Sequence, residues 1–136
     1  MKKKNIVAII EASSTGFGIY SDDIRGATGY GRTIEEAKES FTDSIKEIID
    51  TAKDLGQALP KDLNNGNLDI IYKTDIASVF NYLTQIDVTN FAESIGINAS
   101  LLRQYKTKKA VASPKQSKRV IEGLHELGRQ LLALPA

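Results

Sequence analysis

The apolar residues of this chain change their spacing for good near Thr74, and that change limits what the chain can fold into. Up to that point β-branched and alternating runs flank one long helical pattern; beyond it every periodic run has the three- and four-residue steps of an amphipathic helix. Strands confined to the first part and helices filling the second predict an α+β chain in two domains, residues 1–73 and 74–136. A length of 136 residues accommodates one ordinary domain or two small ones, and 41% hydrophobic with 26% charged residues is a balance that builds packed cores.

In the first part, Ile6-Val7-Ala8-Ile9-Ile10 is a β-branched run. A turn-forming cluster, Ser13-Ser14-Thr15-Gly16, separates it from Phe17-Gly18-Ile19-Tyr20, which predicts a hairpin. A third short strand is expected near residues 27–30, after the polar bend Asp22-Asp23-Ile24-Arg25-Gly26. Ile34, Ala37, Phe41, Ile45, Ile48, Ile49, Ala52 and Leu55 then trace one face of a long helix. Thr33 is its expected N-cap, accepting from the Glu36 amide while the Glu36 carboxylate returns the bond, a capping box worth about 1 kcal/mol. Gly56 and Pro60 are expected to end the helix. The turn-rich Asn64-Asn65-Gly66-Asn67 leads to a closing strand in which Leu68, Ile70 and Tyr72 alternate.

Four helices are expected in the second part, at residues 75–83, 88–95, 99–106 and 114–132. The last opens with Ser113-Pro114-Lys115-Gln116, a serine cap followed by proline at the first helical position. Its expected apolar face is Val120, Ile121, Leu124, Leu127, Leu131 and Leu134. Residues 88–107 have the spacing of a helix-turn-helix. Ala92 supplies the close crossing, Gly96 the turn, and Phe91, Ile95, Ile97, Leu102 and Tyr105 the inward positions. Asn98 is a good cap for the second helix.

That arrangement leaves Asn98, Ala99, Ser100, Arg103, Gln104 and Thr107 facing outward. Arg103 and Gln104 are the expected base readers, since arginine pairs with guanine and glutamine with adenine in the major groove. Arg103, Lys106, Lys108, Lys109, Lys115, Lys118 and Arg119 form a basic run without an acid, suited to phosphates. A basic run alone also describes a solvated surface, and a glycine turn alone a packed bundle. Their coincidence on one segment points to duplex DNA, with Asn98, Ser100, Arg103, Gln104, Lys106, Thr107, Lys108 and Lys109 as the expected contact residues. Leu101 lies near the same face and suggests a contact between subunits. Charge separates the two parts as well. Residues 1–66 carry nine Lys and Arg against eleven Asp and Glu, and residues 67–136 nine against six.

The composition argues against several other classes. With no cysteine there is no disulfide, thiolate metal site or cysteine nucleophile. His125, the single histidine, has no nucleophile or ligand at useful spacing, and Glu11, Asp22 and Asp23 sit at strand ends and in a bend without implied geometry. No catalytic or metal site and no cofactor is expected. Gly16-Phe17-Gly18 and the glycines of residues 26–31 lack the lysine and spacing of a phosphate loop, so they are expected to serve turns and close backbone approach. Met1-Lys2-Lys3-Lys4 is followed by an apolar run too short for a signal peptide or a membrane span, which predicts a cytoplasmic protein.

Asp23-Ile24-Arg25-Gly26-Ala27, then Gly31, then Thr33-Ile34-Glu35-Glu36-Ala37 resemble HicB-type antitoxins, whose run reads Asp-Leu-Pro-Gly-Cys, Gly and Thr-Xaa-Glu-Glu-Ala. Arg25 stands where that family usually has proline, and Ala27 where it often has cysteine. The second part is similar to those of family members that carry a helix-turn-helix. The resemblance implies a truncated, non-catalytic ribonuclease H-like domain of three strands, a helix and a strand, followed by an all-α DNA-binding domain. It also implies a homodimer or higher homo-oligomer in a type II toxin-antitoxin system. Such a protein neutralises a HicA-type ribonuclease toxin through its first domain and represses its own operon by binding operator DNA through its second. Two alternatives keep the fold. One is an orphan interaction or dimerisation module, or a regulator without a toxin partner; the other is a hydrolase of the ribonuclease H type.

Overall fold

The computed structural model describes residues 4–59, 63 and 68–136. The chain divides into two compact units, Met1–Asp75 and Ile76–Ala136. The expected helix stop at Pro60 and the turn at 64–67 lie outside the described residues.

Unit 1 holds β1 (Lys4–Ser13), β2 (Gly16–Tyr20), β3 (Thr28–Gly31), α1 (Ile34–Asp54) and β4 (Leu68–Thr74). The sheet runs β3-β2-β1-β4, with β1 antiparallel to β2 and parallel to β4, so it is mixed. Strand β1 extends beyond the expected 6–10 because Ser13 pairs with Gly16 across a two-residue turn. The Ser13 hydroxyl holds that turn, donating to the Gly16 carbonyl at 3.0 Å and accepting from the Thr15 amide at 3.3 Å. Alternation sends Ile6, Ala8 and Ile10 of β1 and Ile19 of β2 into the core with Ala37, Phe41 and Ile45 of α1. Leu63 is fully buried in the same cluster.

Helix α1 lies almost on the backbone of β3. A Cβ on Gly29 would stand 2.5 Å from the Ala37 carbonyl oxygen and the Phe41 nitrogen, and one on Gly31 2.5 Å from the Ala37 nitrogen. At its start the Glu36 amide donates to the Thr33 hydroxyl at 3.1 Å, as the capping box requires. The return bond differs from expectation, because the Glu36 carboxylate accepts from the Arg32 amide at 2.9 Å. Arg32 follows β3, so this bond ties the strand end to the helix. Gly56, at φ +65°, ends α1 with its amide on the Lys53 carbonyl, while the Gln57 amide reaches back to Ala52 at 2.8 Å.

Unit 2 is helical: α2 (Ile76–Tyr82), α3 (Val88–Ile95), α4 (Ala99–Lys106) and α5 (Pro114–Leu132). Its core gathers Ile76, Phe80, Phe91, Ala92, Ile97, Leu102, Tyr105 and Val120. Helix α5 crosses α3 at Gly123, where a Cβ would meet the Ile95 and Phe91 side chains. Of the expected apolar face of α5, Val120, Ile121 and Leu124 join the core. Leu131 and Leu134 are 60% and 70% exposed, because the helix has by then run past the elements it packs on. Leu101, expected near the outward face, is packed half-buried against this core.

Candidate nucleic-acid interface

The segment 88–107 is built from its caps inward. Asp87 caps α3 by accepting from the Asn90 amide at 2.9 Å. Gly96 ends the helix at φ +72°, where the left-handed backbone favours glycine, and the Ile97 amide returns to the Ala92 carbonyl at 3.0 Å. Asn98 then caps α4, its side-chain oxygen accepting from the amides of Ser100 at 2.8 Å and Leu101 at 3.3 Å. With Ala92 and Leu102 fully buried, the two short helices meet over a dry contact and their polar sides face outward.

The outward side of α4 carries Ser100, Arg103, Gln104 and Thr107, all exposed at steps of three and four, so they form one stripe. The other expected contact residues take different places. Asn98 is exposed, but its oxygen is engaged in the cap. The Thr107 hydroxyl donates to the Arg103 carbonyl at 3.1 Å. Lys106 is half-buried, and its carbonyl accepts from the Asn81 side chain at 3.1 Å. Ala99, expected outward, is half-buried on the core. Lys108 and Lys109 follow the helix on the exposed side.

Two features of this face required the fold to become visible. The Arg103 guanidinium donates to the Thr89 hydroxyl at 2.8 Å, which fixes its direction towards the first turn of α3. Thr89 has no marker in the sequence, since it lies fourteen residues away from Arg103. Arg119 of α5 reaches the turn between α3 and α4: a Cβ on Gly96 would stand 3.6 Å from its Nη2. Between Glu93 and Glu122 the chain has seven basic residues and no acid, and of these Arg103, Lys108, Lys109 and Arg119 are exposed on or beside the α3–α4 segment.

Lys108 is the one non-glycine residue at positive φ among the described residues, at +62°. It ends α4 as Gly96 ends α3, with its amide on the Tyr105 carbonyl and the Lys109 amide on that of Gln104. Holding a side chain in this conformation costs about 1 kcal/mol.

Of the acids at the strand ends and bend of unit 1, Asp23 serves the backbone of β1. The Asp23 carboxylate accepts from the Val7 amide at 2.9 Å, and the Ser21 hydroxyl donates to the Val7 carbonyl at 2.7 Å. Together they continue the ladder along β1 beyond the point where β2 stops. Burial raises the pKa of the Tyr20 hydroxyl, and the nearby carboxylates of Glu11, Asp22 and Asp75 raise it further. Among the described residues no group of three or more His, Cys, Asp or Glu is placed to hold a metal ion. No helix among them is long and apolar enough to cross a membrane.

The molecule is therefore an α+β protein of two units, a mixed four-stranded sheet with one long helix and a helical unit with a cationic face. No family model and no solved structure matches the chain. UPF0150 protein ssl0738 from Synechocystis sp. is 39% identical to it over 62 residues, which cover 44% of this chain and 86% of that protein. The chain belongs to the UPF0150 family.

Proposed function

We propose that this chain is a HicB-type antitoxin that also represses its own operon by binding operator DNA through a helix-turn-helix at 88–107. The observation that carries the DNA-binding part is the exposed stripe Ser100, Arg103, Gln104 and Thr107 on α4, continuous with Lys108 and Lys109. A short helix that enters a major groove needs such a stripe of donors, backed by cations for the phosphates. On this reading Arg103 and Gln104 read bases, and Lys108, Lys109 and Arg119 hold the backbone. Lys106 and Asn98 support the reading helix more than they touch DNA.

Antitoxin activity is assigned to unit 1. Its support is the HicB-like motif around Asp23 and the acidic groove lined by Glu36, Glu39, Asp43 and Glu47, which suits a cationic partner such as a small ribonuclease. In this reading the sheet and helix are a truncated ribonuclease H-like domain that binds the toxin and performs no catalysis.

Affinity for the chain's own promoter, measured against salt, tests the DNA assignment. With about five phosphate contacts the log-log slope is expected near −4.5. An absence of binding at roughly 50 mM salt would contradict it. One observation favours a second reading, an interaction module without DNA: Leu131, Leu132 and Leu134 at the end of α5 are 60%, 88% and 70% exposed. A chain that self-associates through these leucines yet is never retained on DNA would establish that alternative.

A further inference from the structure

The two edges of the sheet are treated differently. At β3 the outward amides already have partners: Thr28 donates to the Ser44 hydroxyl at 3.2 Å, Tyr30 to the Ser40 hydroxyl at 3.2 Å, and Arg32 to the Glu36 carboxylate at 2.9 Å. Glu36, Ser40 and Ser44 are successive four-residue steps on α1, so the helix stands in for a neighbouring strand. An edge sealed in this way does not accept another chain as an added strand.

Strand β4 is the other edge. The Asp75 amide bonds inward to the Ile10 carbonyl, so by alternation the N–H and C=O groups of Ile70 and Tyr72 point away from β1. Among the described residues no hydrogen bond reaches them. The strand has no proline, and the side chains of Ile70 and Tyr72 are only half-buried on the core face. On the opposite face Asp69, Ile71 and Lys73 are all exposed.

The order acid, isoleucine, base is self-complementary. If two β4 strands run antiparallel about a two-fold axis at Ile71, Ile71 faces its own copy, and each Asp69 faces Lys73 of the other chain. Ile70 faces Tyr72, and these are the outward-pointing residues that exchange N–H···O bonds. Ile71, Asp69 and Lys73 then occupy non-hydrogen-bonded pairs, where Cα atoms come within about 4.5 Å and side chains meet most closely. A register shift would break both charge pairs. We propose that two copies of this chain associate through β4 in this register, joining their sheets into one. The inference is independent of the DNA-binding reading, since it uses only unit 1.

The absence of cysteine makes the test direct. Ile71→Cys in the full chain places two thiols across the axis at a separation that a disulfide spans. Under mild oxidation it is expected to yield a reducible dimer at least ten times faster than Glu47→Cys on the exposed side of α1. Equal rates overturn the proposal. A strand that pairs only after a different protein is added overturns it too. Asp69→Lys alone and Lys73→Asp alone each set like charges across both outer pairs and are expected to weaken association about tenfold. An equimolar mixture of these two variants restores opposite charges and is expected to recover most of the loss. A mixture no tighter than either variant alone contradicts the register.

Discussion

The two units use their polar side chains in opposite ways. In unit 1, Ser21, Asp23, Ser40, Ser44 and Glu36 are turned onto the backbone, where they complete the ladder at Val7 and close the edge at β3. In unit 2, apart from the caps, the half-buried Lys106 and the Thr107 hydroxyl bonded to the Arg103 carbonyl, the polar residues of α4 and the segment after it face outward, and Lys108 holds a conformation that glycine would hold at lower cost. The difference separates side chains committed to the backbone from side chains presented on a surface. A side chain that satisfies a backbone amide is already accounted for.

The sharpest way to break unit 1 is through its glycines. Gly31→Val drives a branched side chain into the backbone of α1 at Ala37, and we expect a loss of about 3 kcal/mol in the unfolding of unit 1 by urea. Unit 2 should keep its own hydrogen-exchange protection. Removing one backbone partner is milder. Ser21 is 7% exposed, and Ser21→Ala withdraws the donor to the Val7 carbonyl and the acceptor of the Asp23 amide. The expected cost is about 1.5 kcal/mol, read in the same denaturation experiment.

In unit 2 the comparison predicts a change of opposite sign. Lys108→Gly relieves the positive φ and should stabilise the unit by about 1 kcal/mol. The same change should weaken binding to the promoter and lower the magnitude of its salt slope by about 0.9, the contribution of one phosphate contact. Stabilisation without any change in DNA affinity would leave Lys108 without the role given to it. Gly96 offers the matching control. Gly96→Ala puts a side chain at φ +72° and should cost about 1 kcal/mol while leaving every cation of the face in place.

Much of the architecture was legible because it rests on local rules. The period of the apolar residues located β1, β2, β4 and the helices to within a few residues, and Thr33, Asn98 and Ser113 marked helix starts through their own side chains. What was illegible depends on residues distant in sequence. Nothing local distinguishes Ser40 and Ser44 from other exposed helix serines, and their role exists only because β3 lies beside α1 at glycine distance. The same holds for the bond from Arg103 to Thr89 and for the approach of Arg119 to Gly96. Ala99, expected outward, packs half-buried because on a helix of eight residues the boundary between faces falls within one side chain. The exposed end of α5 was misread because helical periodicity continues whether or not a partner surface does.

On the function proposed above, the outward face of α4 and the basic segment after it engage duplex DNA while unit 1 does not. Hydrogen-deuterium exchange of the full chain, with and without a duplex carrying its own promoter, tests that division most directly. New protection is expected in residues 98–109 and at the α3–α4 turn, with α1 and the sheet unchanged. Protection confined to unit 1, or an unchanged α4 at saturating DNA, would contradict it.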